Sequence, residues 1–155
     1  MPSQVLSASL VADDGGRTCP TPNLVLYDGQ CPLCHRAVRL LLRADRRCRL
    51  CFAPLQGETA GRVREYHGFA DDLSTLVYVR DFGFPSERIF FKSTAVLAAL
   101  GDLGGVWTLA AVLRLVPRPV RDAAYDWVAR HRTRWFGRYD SCLLPGPPER
   151  GRFLP

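Results

Sequence analysis

The sequence predicts an α/β fold built on a four-stranded mixed sheet, with a helical extension at its C-terminal end. Two observations lead to this prediction. Between residues 24 and 103, short apolar runs alternate with amphipathic segments in the order β-α-β-α-β-β-α, whereas residues 104–136 have a helical pattern throughout. At 155 residues, 47% of them hydrophobic, the chain is long enough for one domain with its own core.

The first strand and the first helix are predicted to meet at a tight turn. Leu24–Tyr27 is a short apolar run that stops at Asp28-Gly29, as is typical of a buried strand. Proline is accepted at the first position of a helix, so the helix is predicted to run from Pro32 to about Asp45.

The remaining elements complete the sheet. They are a strand at Arg49–Ala53, a helix at Gln56–His67, a strand within Ser74–Asp81, a strand at Glu87–Phe91 and a helix at Ala95–Leu100 that Gly101 ends. The short, glycine-bearing link between the last two strands predicts an antiparallel hairpin. A β-α-β unit followed by a hairpin in the same sheet is the element order of the thioredoxin fold.

The two ends of the chain are predicted to be irregular. Residues 1–23 lack periodicity and predict a flexible leader, and residues 137–155 are rich in Gly and Pro and predict an irregular tail. Two helices, Val106–Val116 and Val120–Phe136, are expected to pack on the core because their Trp and Leu residues need burial. A second interpretation of these helices is an amphipathic surface for a membrane or a partner protein.

Composition limits the partners and the compartment. The formal net charge is +6, but all basic residues except Lys92 are arginine and they are spread along the chain, so no nucleic-acid binding is predicted. Met1–Leu10 lacks an export signal, and Val106–Val116 is too short to span a bilayer. We therefore expect a cytoplasmic protein whose six cysteines are mostly reduced.

Cys31 and Cys34 form a Cys-x-x-Cys pair at the start of the first predicted helix. Free N–H groups and the positive end of the helix dipole favour a thiolate there and lower the cysteine pKa. Cys31 is expected to be the outer, attacking sulfur, and Cys34 the more buried, resolving one. A strand, a turn, Cys-x-x-Cys and a helix together indicate a thioredoxin-like redox site.

Asp28 and His35 flank this pair. Asp28 could accept a proton from Cys34 during exchange, or it could accept hydrogen bonds from the N–H groups of the Gly29-Gln30 turn; the two roles are compatible, and the second is favoured. His35 is expected to stabilise the thiolate by charge or to be exposed.

The other cysteines leave two alternatives. Cys48 and Cys51, thirteen residues after the first pair, suggest a four-cysteine zinc site. The intervening helix, rising ~1.5 Å per residue, would however hold the pairs nearly 20 Å apart, so Cys48 and Cys51 are interpreted as bystanders. The Cys31-x-x-Cys34-His35 run also matches c-type haem attachment, but the export signal is missing and Met1 is the only methionine. No cofactor and no metal are therefore predicted; Cys19 and Cys142 are given no required role.

The motif Asp28-x-x-Cys31-x-x-Cys34 after a hydrophobic strand resembles the DCC (DUF393) family of predicted thiol-disulfide oxidoreductases. The likeness continues at Phe52-Ala-Pro-Leu-Gln56, Ser93-Thr-Ala-Val-Leu97, Pro117–Tyr125 and Val128–Arg132, and covers roughly Leu24 to Leu154. The resemblance implies a thioredoxin-like fold and a redox dithiol at Cys31 and Cys34, but no known substrate. Unlike ordinary thioredoxins, the chain has no proline before its third strand, at Asp72-Leu-Ser-Thr75.

The sequence therefore predicts a thiol-disulfide oxidoreductase that acts on an unknown protein or small-molecule thiol or disulfide. The competing hypothesis is a non-catalytic thioredoxin-fold scaffold that binds through its C-terminal helices.

Overall fold

The computed structural model describes residues 23–70, 75–140 and 150–155. Four strands form one sheet in the order β2-β1-β3-β4. They are β1 (Leu24–Tyr27), β2 (Cys51–Pro54), β3 (Val77–Arg80) and β4 (Arg88–Phe91). β1 runs parallel to β2 and antiparallel to β3, which is antiparallel to β4. This mixed sheet confirms the predicted thioredoxin-like α/β fold.

Four α-helices accompany the sheet. They are α1 (Pro32–Ala44), α2 (Glu58–His67), α3 (Lys92–Leu103) and α4 (Arg118–Phe136). α3 is longer than predicted because Gly101 lies within it, and the helix ends instead at Gly104, whose φ of 72° an L side chain rarely adopts. Among the described residues, none of the helices is both long enough and apolar enough to cross a membrane.

The strand β1 lies between the two halves of the core. Val25 and Tyr27 pack in one hydrophobic cluster, whereas Leu24 and Leu26 pack in the other. Successive side chains of a strand point to opposite faces, so β1 carries core on both sides of the sheet. The end of this strand is consequently a rigid base for the turn that follows it.

The C-terminal extension differs from the prediction. Gly105–Leu115 is a 3-10 helix rather than an α-helix, and none of its residues is buried. In α4, Trp127 and Trp135 remain half exposed although burial was expected. These residues form an aromatic row with His131, whose ring lies 4.9 Å from that of Trp127 and 5.4 Å from that of Trp135.

The last residues of the chain pack on the free edge of β2. Phe153 pairs with Phe52 in a parallel bridge, and the Leu154 N–H donates to the Phe52 carbonyl over 2.8 Å. Arg152 forms an ion pair with the buried carboxylate of Asp45. Within this part of the tail, Arg150–Arg152 forms a short 3-10 helix.

Candidate active site

The dithiol lies where β1 passes into α1. Cys31 is the N-cap residue of α1, and Pro32 occupies the first turn, where the missing proline N–H costs no hydrogen bond. The Cys34 N–H donates to the Cys31 sulfur over 3.4 Å. Cys31 therefore lies at the N-cap of α1 and Cys34 in its first turn. The prediction that the pair lies at the start of the first helix is confirmed.

The two sulfurs differ in acidity. The Cys34 thiol donates a hydrogen bond to the Cys31 sulfur, and this bond is the largest of the influences that lower the pKa of Cys31 to about 6. The Cys34 N–H and the positive charge of Arg132 act in the same direction, whereas burial opposes them. Sharing its proton with Cys31, together with burial, raises the pKa of Cys34. The negative charge therefore resides on Cys31 and the proton on Cys34.

Arg132 joins this pair from the C-terminal helix. Its Nη1 donates to the Cys34 sulfur over 3.2 Å, and its Nη2 donates to Asp28 Oδ2 over 2.9 Å. The side chain is buried, with the residue only 7% exposed. Burial opposes its charge, but the nearby Cys34, Cys31 and Asp28 outweigh that effect and raise the pKa of Arg132.

Sequence reasoning missed Arg132, which it named only as part of a segment and gave no role at the site. A signal was present, because Arg132 closes the Val128–Arg132 segment that carries the family resemblance. A hydrogen bond and an ion pair hold its helix, α4, in place. The Leu76 N–H donates to the Tyr125 hydroxyl over 2.8 Å, and Lys92 pairs with Asp126 over 2.8 Å.

Asp28 is buried rather than exposed as a turn residue. Its Oδ1 accepts from the Gln30 N–H over 3.0 Å, which is the predicted Asx-type bond, and from Gln56 Nε2 over 2.9 Å. Gln56 Oε1 in turn accepts from the Gly29 N–H over 3.1 Å. With Arg132 on its other oxygen, Asp28 links the turn, β2 and α4.

His35 is neither exposed nor hydrogen-bonded to a sulfur. The residue is buried, and its Nε2 lies 2.5 Å from the Gly29 carbonyl oxygen. Its ring packs against that of Tyr139 at 5.1 Å and edge-on to that of Tyr27 at 6.4 Å. The expectation that His35 is exposed was wrong, because the ring turns back under the loop that precedes the helix.

The solvent exposure of the two cysteine residues is not the same. Cys31 is only 2% exposed, whereas Cys34 is partly exposed. The chain after α4 lies against the turn that precedes Cys31. There the Tyr139 N–H donates to the Gln30 carbonyl over 2.9 Å, and Arg138 donates to Gln30 Oε1 over 2.7 Å. The sequence could not show that residues 137–140 return to this turn.

The other cysteines do not join the site. α1 is helical over 13 residues, a rise of ~20 Å, so it separates Cys31 and Cys34 from Cys48 and Cys51. Within the described ranges, no group of three Cys, His, Asp or Glu side chains could hold a metal ion. Cys51 is disulfide-bonded, which corrects its interpretation as a bystander thiol. Residues 19, 72–74 and 142 lie outside the described residues.

Comparison with known proteins agrees with this geometry. The sequence model of the DCC1-like thiol-disulfide oxidoreductase family matches residues 25–138, which include the dithiol and Arg132. The Bacillus subtilis (strain 168) protein YuxK is 36% identical over 136 residues, covering 86% of this chain and 96% of that protein. The Arabidopsis thaliana DCC family protein At1g52590, chloroplastic, is 36% identical over 123 residues, covering 78% of this chain and 69% of that protein. No solved structure matches the chain.

Proposed function

Because the chain belongs to the DCC1-like thiol-disulfide oxidoreductase family, we propose that it is an enzyme that exchanges its Cys31–Cys34 dithiol with a disulfide on a partner. The observation that carries this proposal is the division of acidity between the two sulfurs. A thiolate is the nucleophile of thiol-disulfide exchange, and a pKa of about 6 keeps Cys31 mostly ionised at neutral pH. The partner is a protein or a small molecule that carries a disulfide or thiols.

The exchange has two steps. The Cys31 thiolate attacks one sulfur of the partner's disulfide, so that a mixed disulfide forms and the other partner sulfur leaves as a thiolate. Cys34 then loses its proton to solvent and attacks the Cys31 sulfur, which releases the second partner thiolate. The chain ends with a Cys31–Cys34 disulfide, and two electrons have passed to the partner, whose thiolates take up protons from water. The same steps in reverse oxidise a partner dithiol.

We assign Arg132 to the second step. In the mixed disulfide Cys31 no longer shares the proton of Cys34, but burial still raises the pKa of Cys34 and makes its thiolate costly to form. A guanidinium at 3.2 Å offsets part of that cost by its charge. Asp28 accepts both from Arg132 and from the turn, so we propose it as the residue that positions the guanidinium. The role of a proton acceptor for Cys34 suits Asp28 less well, because one of its oxygens faces Arg132 and the other already accepts two hydrogen bonds.

We propose that residues 137–140 move when a partner binds, because they contact the turn that precedes Cys31. A partner disulfide must approach the Cys31 sulfur in line, but that residue is almost fully covered. The contacts of Arg138 and Tyr139 with Gln30 are two hydrogen bonds at the surface, which open at modest cost. We propose that their release exposes Cys31 to the partner.

The test is a trapping experiment with matched cysteine variants. Cys34→Ser removes the resolving sulfur, so a mixed disulfide between Cys31 and oxidised glutathione should accumulate and be seen as an added mass on the Cys31 peptide. Cys31→Ser should give no such adduct at Cys34. A glutathione redox titration of the wild-type chain should show a Cys31–Cys34 disulfide that forms and breaks in one two-electron step. If neither the mixed disulfide of Cys31 with glutathione nor the Cys31–Cys34 disulfide formed, the chain would be a scaffold and the enzymatic proposal would be wrong.

We propose the cytoplasm as the compartment, since a reducing environment would return the Cys31–Cys34 disulfide to its dithiol form between turnovers. Fractionation of cells that produce the tagged chain tests this proposal. Recovery outside the cytoplasmic and membrane-surface fractions would contradict it.

A further inference from the structure

The 3-10 helix Gly105–Leu115 carries a row of exposed aliphatic side chains. Val106, Leu109, Val112 and Leu115 are 70%, 67%, 62% and 85% exposed. A 3-10 helix has three residues per turn, so side chains three positions apart lie above one another. These four residues, the apolar ridge, therefore form one continuous line on the outside of the molecule.

Such a ridge indicates a surface that binds a partner rather than one that packs within the chain. None of the residues of this helix is buried, although Arg114 is its only charged residue. Single apolar residues on a surface are ordinary, but contiguous apolar patches mark sites of protein or membrane contact. The ridge is also convex, since it is one edge of a helix. A convex surface can insert into a partner, but it cannot form a groove that binds one.

The charges beside the ridge identify the class of partner. Residues 105–121 contain three arginines, Arg114, Arg118 and Arg121, and no acidic residue. Asp122 pairs with Arg118 and Asp126 pairs with Lys92. Arg114 is exposed and has no acidic partner among the described residues, whereas Arg121 donates to the Val116 carbonyl and has one buried guanidinium nitrogen.

From the ridge and these arginines we infer that this surface docks on the interface of an anionic phospholipid membrane. Aliphatic side chains enter the region between headgroups and acyl chains, while adjacent arginines attract the negative surface. A second copy of the chain fits less well, because apposed ridges would bring like charges together across the contact. The inference is independent of the proposed dithiol chemistry, since it uses none of the residues of that site.

The experiment is flotation of the full-length chain with vesicles of phosphatidylcholine, with and without phosphatidylserine. We expect binding to the mixed vesicles that is roughly 5-fold tighter than to phosphatidylcholine alone, from one exposed arginine near an anionic surface. The double variant Leu109→Gln/Val112→Gln should lose this binding. Because both residues are exposed, the variant should keep its circular dichroism spectrum and the alkylation profile of Cys31.

A matched control replaces exposed apolar residues elsewhere. Leu40→Gln/Phe84→Gln changes residues that are 51% and 55% exposed, and it should bind the mixed vesicles like the wild-type chain. In the Trp127→Phe/Trp135→Phe variant, Trp107 is the only tryptophan that remains. Its fluorescence emission should shift to shorter wavelength when the chain binds the mixed vesicles.

Four results would overturn the inference. They are absence of binding to the mixed vesicles, equal binding to both kinds of vesicle, retained binding by the Leu109→Gln/Val112→Gln variant, and a dimer in sedimentation that this variant abolishes. None of these results bears on the Cys31 adduct of the trapping experiment, so failure of the docking inference and failure of the proposed function are distinguishable.

Discussion

Arg132 Nη1 lies 3.2 Å from the sulfur of Cys34, although the two residues are 98 positions apart in the chain. This contact makes the C-terminal helix α4 part of the dithiol site. The same guanidinium pairs with Asp28, at the end of the central strand β1. A change in the position of α4 would therefore alter both the turn before the dithiol and the charge felt by its sulfurs.

Replacing Arg132 by Met should both destabilise the chain and raise the pKa of Cys31. The buried carboxylate of Asp28 would lose its cation, which typically costs about 3–5 kcal/mol of folding free energy. The loss of the positive charge removes one of the effects that hold the Cys31 pKa low. Urea denaturation and the pH profile of Cys31 alkylation measure the two effects.

A second variant separates charge from structure. In Arg132→Met/Asp28→Asn, the unpaired carboxylate is gone, so most of the stability should return while the Cys31 pKa stays raised. Arg80→Met, which breaks the distant ion pair with Asp102, should lower stability without moving the Cys31 profile. If the double variant restored the wild-type profile, Arg132 would have only a structural role.

The alkylation rate of Cys31 should depend on pH with a midpoint near 6, compared with 9.0 for an ordinary cysteine. Below the midpoint the thiol is protonated and unreactive, and above it the rate should level off. Iodoacetamide labelling read peptide by peptide in a mass spectrometer gives this profile. Cys34→Ala should move the midpoint upward, because the hydrogen bond from the Cys34 thiol is the main cause of the low pKa.

The same shift should appear in the stability of the reduced chain. A thiol whose folded-state pKa is lowered stabilises the fold above its unfolded-state pKa, and this contribution disappears as the pH falls through the folded-state value. The free energy of unfolding of the wild-type chain, relative to Cys31→Ala, should therefore decrease from pH 9 toward pH 6. A difference that is constant across this range would contradict the assignment.

Arg138→Ala/Tyr139→Ala should raise the plateau rate of Cys31 alkylation several-fold. These substitutions remove the Arg138 hydrogen bond to Gln30 and the ring that packs on His35 beside the dithiol. The midpoint of the profile should not rise above about 6, because less burial of Cys31 can only lower its pKa. A changed midpoint with an unchanged plateau would show that the segment affects acidity and not access.

Phe153→Ala should reduce the free energy of unfolding by roughly 1–2 kcal/mol, since its side chain is mostly buried and full burial of a phenylalanine is worth about 1.5–3 kcal/mol. Its ring stacks on Phe52 at 5.5 Å and meets Tyr27 edge-on at 6.5 Å. Phe84→Ala, at an exposed position, should change stability little. Equal effects of the two substitutions in urea denaturation would mean that the end of the tail adds nothing to the core.

Local signals predicted the elements that depend on neighbouring residues. The apolar run before Asp28, the proline after Cys31 and the spacing to Cys34 are all read within one short stretch, and the strand, turn and helix formed as predicted. Errors arose where local preference and long-range packing compete. Val106–Val116 has a helical pattern, but Gly105–Leu115 forms a 3-10 helix in which no residue is buried.

The sequence by itself determined the placement of the two sulfurs, because capping and helix geometry act over three or four residues. Only the tertiary structure decided which arginine reaches them. Arg130, Arg132 and Arg134 are chemically alike, but successive residues turn by about 100° around a helix, so Arg132 points inward while its two neighbours stay exposed. The contacts of Arg138 and Tyr139 with Gln30 were decided in the same way, since contacts across about a hundred residues depend on how the elements pack and not on local pattern.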